Sequence, residues 1–136
     1  MSEAQASNDE IRRLIEMPHG EFEDLVASLY RALGHQAVCR HAKESDAAHV
    51  IVRAINGQKW IVQCRQWRGA VGETVVREFV ALMEREQAAQ GAIITTAKFT
   101  PRAREWAKGK PLHLYDGDEF SQAIKRIQSR KNPAGA

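Results

Sequence analysis

The chain has 136 residues, 43% apolar and 27% charged, a balance that fits one domain with its own core and excludes a wholly disordered, collagen-like or membrane-embedded chain. The net charge of +3 hides a division. The first 30 residues hold two basic and seven acidic side chains, the remainder eighteen and ten, and a basic body of this kind points toward a polyanionic partner.

Met1 to Glu10 is polar and acidic, unlike a secretory signal, and no apolar run nears the roughly 20 residues of a membrane span. A cytoplasmic location without membrane contact is expected. Cys39 and Cys64 lack CxxC spacing and adjoin apolar stretches, so they are expected to be buried free thiols. Met1 to Asn8 and the basic segment from Ser129 to Ala136 are expected to be loosely ordered tails. The domain division is therefore residues 1–18 as a tail and short helix, 19–128 as the folded domain, and 129–136 as a tail.

In chain order, Ile11, Leu14 and Ile15 form a short helical stripe ending at Pro18. His19 to Leu33 follows with Phe22, Leu25, Val26, Leu29 and Leu33 at helical spacing, stopped by Gly34. The period then changes. Gln36 to Arg40, His49 to Ile55 and Lys59 to Cys64 read as three strands, the last two joined by Asn56-Gly57 as a hairpin. A helix from about Val75 to Ala89 follows the break at Gly69 to Gly72. Ala92 to Thr96 reads as a buried strand, and Pro101 to Lys108 as a helix capped by Thr100. Leu112 to Tyr115 is a further strand and Asp118 to Ile127 the last helix. Alternation of this kind gives an α/β fold with helices on both faces of the sheet.

Several short motifs recur in order along this frame: Phe22-Glu23, Gly34-His35, Asp46, Gln63-Cys64-Arg65 and Val76-Arg77-Glu78-Phe79. Gly91, Ile93-Ile94-Thr95-Thr96, Phe99-Thr100 and Leu114-Tyr115-Asp116-Gly117 follow. On these the chain, from Pro18 to Ile127, resembles the Mrr-type restriction endonuclease domain of the PD-(D/E)XK nuclease superfamily. The resemblance implies a restriction-endonuclease-like three-layer α/β/α fold with a central mixed sheet. It also implies an active site of an acidic residue near the start of the second strand and Gln-x-Lys on the third. The acid would hold Mg2+ or Mn2+ beside the scissile phosphate, and the lysine would position the attacking water.

Matched without gaps, Asp46-Ala47-Ala48-His49-Val50 puts Val50 at the metal-binding aspartate and Arg65 at the lysine. A valine offers a metal no oxygen. Arginine keeps the charge and clasps phosphate, but it manages protons poorly. Between Asp46 and Glu73 lie 26 residues with no carboxylate and four basic side chains, Arg53, Lys59, Arg65 and Arg68. The reading is a DNA-binding domain with impaired catalysis and no cofactor firmly implied. The alternatives are an active Mg2+- or Mn2+-dependent DNA endonuclease using Glu23, Asp46, Gln63 and Arg65, and a protein-interaction scaffold.

Double-stranded DNA is the expected partner, held through phosphates by Arg65, Arg68, Arg77, Lys98 and Arg102. A homodimer is compatible with the resemblance, since a duplex has two strands to cut. Plain structural readings stand beside these: Glu23 as a solvated helix residue, Asp46 as a turn residue, Gln63 as an outward strand residue. His49 neighbours the lost ligand on a strand whose successive residues face opposite sides, and it is read as a strand histidine. His35 is read as structural. Trp60, Trp67 and Trp106 are read as core or half-buried, with Trp67, beside Arg65 and Arg68, also suited to stacking on a base or sugar.

Overall fold

A computed structural model of the chain describes residues 3–40 and 49–131. The order is α1 (Glu3–Glu16), α2 (His19–Ala32), β1 (Gln36–Arg40), β2 (His49–Arg53), β3 (Lys59–Arg65), α3 (Glu73–Arg85), β4 (Gln90–Thr95), α4 (Pro101–Ala107), β5 (Leu112–Tyr115) and α5 (Gly117–Lys131). The strands form one mixed sheet in the order β1-β2-β3-β4-β5. β1, β2 and β3 run antiparallel, and β3, β4 and β5 run parallel.

Each strand's period of two splits its side chains between two cores. Val50, Val52, Val62 and Cys64 join Leu14, Phe22, Val26, Phe120 and Ile124 beneath α1, α2 and α5. Ile61 and Ile93 join Val76, Phe79, Leu82 and Ala103 beneath α3 and α4. Two cores on the two faces of one sheet make the three-layer α/β/α arrangement that the resemblance implied.

The local signals act as expected at the turns. Gly34 takes φ 98 at the end of α2, and Gly57 takes φ 88 in the β2–β3 hairpin, both conformations that cost a side-chain-bearing residue. Asn56 accepts the Gln58 N–H at 3.0 Å and closes the same turn. Thr100 caps α4 by accepting the Ala103 N–H at 3.1 Å.

The largest differences from expectation are at helix ends. α1 begins at Glu3, within the segment read as a loose tail, because that stretch holds Ala4 and Ala6 and no helix breaker before Pro18. α5 runs to Lys131 on helix-forming polar residues, past the expected end at Ile127. α3 stops at Arg85, earlier than Ala89, because Gln87 turns to φ 55. No helix among the described residues is long and apolar enough to cross a membrane.

Candidate active site

The end of β1, the start of β2 and the ends of β3 and β4 meet at one end of the sheet. Asp46 lies outside the described residues. Register decides which of the other candidates share a face. Val50 pairs with Val62, and Ile51 with Ile61, so the same register sets His49 opposite Gln63. Ile61 belongs to the core under α3; two residues on, Gln63 faces that layer, and Arg65 follows it. Val50 instead lies wholly buried in the core under α2.

The structure therefore does not bring Val50 to Gln63 and Arg65. The β2 side chain on their face is His49. A one-residue change of position along a strand exchanges faces.

Gln63 is 6% exposed, and its Oε1 has no hydrogen-bond partner among the described residues. A buried amide oxygen without a partner is uncommon in a folded protein. His49 is buried as well, with Nε2 3.9 Å from Glu86 Oε1 at the end of α3. Glu86 also accepts from Arg40 at 3.0 Å and Lys59 at 3.1 Å. The Lys59 hydrogen bond is the main reason its carboxyl is held below the usual range, with Arg40, Lys59 and His49 adding their charge.

Arg65 is half-buried, and its guanidinium lies 4.6 Å from the Trp67 ring centroid. Its carbonyl accepts the Thr96 N–H at 3.0 Å, which ties the end of β3 to the end of β4.

Glu23 is 1% exposed but reaches this sheet end from the opposite layer, on α2. Its Oε2 lies 3.6 Å from His19 Nε2, and its charge is felt by Cys64 and Cys39. His19 Nδ1 in turn lies 2.7 Å from Gln66 Oε1. The Gln66 amide donates to the Leu14 and Met17 carbonyls at 2.9 and 2.6 Å, fastening the end of α1 to the segment after β3. His19 and Gln66 were not singled out from sequence, because 47 residues separate them and neither has ligand spacing.

The thiols are free, Cys64 buried and Cys39 half-buried, the latter more exposed than expected. Burial first, then the Asp24 carboxylate, pushes the Cys39 thiol up to about 11; burial pushes Cys64 up too. Neither is an activated nucleophile. His35 accepts the Ile55 N–H at 3.1 Å and packs against Trp60 in a tilted ring contact, centroids 4.9 Å apart, a structural role.

The basic candidates differ in charge balance. Arg77 is engaged by Glu73 at 2.7 Å and Lys98 by Asp118 at 2.7 Å. Arg104 bridges Asp116 and Glu119. Arg68 and Arg102 are exposed and make no ion pair with any described residue. An apolar cavity of about 330 Å³ between α2 and α5, lined by Val26, Tyr30, Tyr115, Phe120 and Ile127 among others, contains none of the candidate residues.

Magnesium takes oxygen ligands, carboxylates above all. Among the described residues, the side chains on the Gln63 face at this end are an amide, an imidazole, a guanidinium and the Thr95 hydroxyl, with the Glu86 carboxylate 3.9 Å from His49 the one acidic group beside them. No group of three His, Cys, Asp or Glu side chains there is placed to hold a metal ion. The described donor set does not fit the metal that the fold implies.

The Mrr_cat family model, described as a restriction endonuclease, matches residues 14–124. The chain is 23% identical over 122 residues to the type IV methyl-directed restriction enzyme EcoKMrr of Escherichia coli strain K12, covering 84% of this chain and 40% of that protein. Among solved structures it is similar to the DNA modification-dependent restriction endonuclease AspBHI, with a TM-score of 0.73, 16% identity, and coverage of 93% of this chain and 36% of that one. It is also similar to the MspJI restriction endonuclease in complex with a 27-mer oligonucleotide, with a TM-score of 0.64, 18% identity, and coverage of 100% and 34%. The chain thus spans about two fifths of its curated relative's length. With the three-layer fold and a family match over most of its residues, the chain belongs to the Mrr-type restriction endonuclease family.

Proposed function

We propose that this chain is a DNA-binding domain of Mrr-type endonuclease fold with impaired catalysis, in which His49 stands where the fold's metal-binding carboxylate belongs and Arg65 replaces its lysine. The observation that carries this is the register of β2 on β3, which places His49 and not Val50 on the face of Gln63 and Arg65. Phosphate is then met by protein donors directly. Arg65 offers a planar fork suited to phosphate oxygens, and Arg68 and Arg102 supply exposed charge beside it. Binding of this kind is weakly sequence-specific and falls steeply with salt.

The test is duplex binding measured in EDTA and in millimolar Mg2+ or Mn2+, with plasmid cleavage followed in parallel. Tight low-salt binding that ignores EDTA, with no cleavage, is expected. Absence of binding at low salt removes the proposal.

A second reading, a Mg2+- or Mn2+-dependent endonuclease using Glu23, Asp46, Gln63 and Arg65, is favoured by the unpartnered, buried Gln63 Oε1. Metal-dependent cleavage lost in Gln63→Ala would establish it over the first.

A further inference from the structure

We propose that Trp67 is a stacking platform for an unpaired base, so that this sheet end selects DNA with a bulged or single-stranded nucleotide over fully paired duplex; this deepens the DNA-binding reading above and rests on it. Trp60 and Trp106 pack against the two cores, whereas Trp67 belongs to neither and is 38% exposed. An indole normally contributes one of the largest apolar areas to a core. Leaving one at the surface forgoes that burial, and this one stands at the mouth of the candidate site.

The segment that carries it is fixed on both sides. Before it, Gln66 holds the Leu14 and Met17 carbonyls. At Trp67 itself, the carbonyl accepts the Thr96 hydroxyl at 2.8 Å. Beyond it, Val71 bridges to Phe99, with its N–H on the Lys98 carbonyl at 2.7 Å and its carbonyl accepting the Thr100 N–H at 3.0 Å. Arg65, over the ring at 4.6 Å, adds a cation–π contact that fixes the plane of the indole.

The result is a preorganised aromatic surface flanked by cations, with Arg68 adjacent and Lys98 and Arg102 on the hydrogen-bonded neighbouring segment. An aromatic plane beside basic side chains is the combination by which proteins hold nucleotides without reading their sequence. A base within a duplex has both faces occupied by its neighbours. Only a nucleotide outside the stack can offer a face to Trp67.

The experiment uses the full chain carrying Trp60→Phe and Trp106→Phe, leaving Trp67 as the sole indole. Its fluorescence is titrated with a paired duplex, the same duplex with one bulged base, and a single strand. Quenching by the bulged and single-stranded DNA, with little change on the paired duplex, is expected. In parallel, the otherwise unaltered chain should prefer bulged over paired DNA by about 5- to 150-fold, the range for one stacked base. Trp67→Ala should erase that preference, and Trp67→Phe should retain part of it.

Equal affinity for paired and bulged DNA, an unquenched Trp67, or a preference that survives Trp67→Ala would overturn the stacking role while leaving DNA binding intact. Failure of all three DNAs to bind at low salt would remove both readings together.

Discussion

Replacing Val50 by aspartate should unfold much of the domain instead of restoring a metal site. Val50 is wholly buried between its strand partners Cys39 and Val62, under the apolar surface of α2. Losing that side chain's apolar burial costs about 1.5–3 kcal/mol. Placing a carboxyl group there without a partner adds about 1–3 kcal/mol even when it is protonated. The sum, about 2.5–6 kcal/mol, is a large part of the roughly 5–15 kcal/mol typical of a whole domain. His49→Asp changes a residue already polar, on a face where Arg40 and Lys59 converge on Glu86, and should cost about 1–2 kcal/mol. Urea unfolding of the two variants measures the contrast, with Val50→Asp expected to lose about 2 M more in midpoint. Equal midpoints would mean that the two positions do not lie on opposite faces, and the assignment of His49 to the site would fall.

The paired substitution His49→Asp with Arg65→Lys should create measurable Mn2+ binding by calorimetry, whereas Val50→Asp with Arg65→Lys should not; binding in neither, with both proteins folded, would count against the site as placed. Arg68→Ala and Arg102→Ala should each flatten the logarithmic salt dependence of DNA binding by about 0.9. Arg77→Ala and Lys98→Ala should change it less, because Glu73 and Asp118 already engage those cations; equal effects at all four positions would contradict this. Gln66→Ala removes two hydrogen bonds to partly buried carbonyl groups and should cost about 1–3 kcal/mol, with faster amide exchange concentrated in α1. Cys39 and Cys64, both with raised thiol pKa values, should resist iodoacetamide in the native protein at about pH 8. The neutral thiol is favoured in the folded state, so stability should decline as pH rises above the unfolded thiol range toward about 11 for Cys39; rapid labelling at about pH 8 would be the contrary result.

The elements were legible wherever a local signal was complete. Asn56-Gly57 set the hairpin, Thr100-Pro101 began α4, and Gly34 closed α2. The ends of α1 and α5 were not, because apolar periodicity marks only the part of a helix that packs. The capping box at α5 was available in the sequence and went unread: Asp116 and Glu119 satisfy each other's backbone N–H groups at 2.9 and 3.1 Å, a pattern of residues three apart. From Lys98 to Lys110 the sequence holds five basic side chains and one acidic, Glu105. In the fold, Asp116, Asp118 and Glu119 at the start of α5 meet Lys98 and Arg104, a pairing that composition alone does not reveal.

The site was the part in which one residue of error mattered most. Gln63 and Arg65 lie on the β3 face that meets α3, and the register of β2 on β3 sets His49, not Val50, on that same face. On a helix such a slip rotates a side chain by about 100° and leaves it near its neighbours; on a strand it sends the side chain through the sheet. The physical meaning of the substitution changes with it. A valine in the lost position would be a hole in a metal site, lined with hydrocarbon. A histidine beside an arginine is instead a replacement of one chemistry by another, since both side chains carry N–H donors suited to an anionic oxygen. A carboxylate, metal and lysine hold a phosphate through an intermediary ion, whereas histidine and arginine meet it directly. On the function proposed above, the basic excess of the hairpin would belong to the binding surface itself, and loss of the carboxylate and contact with phosphate would be two effects of the same residues.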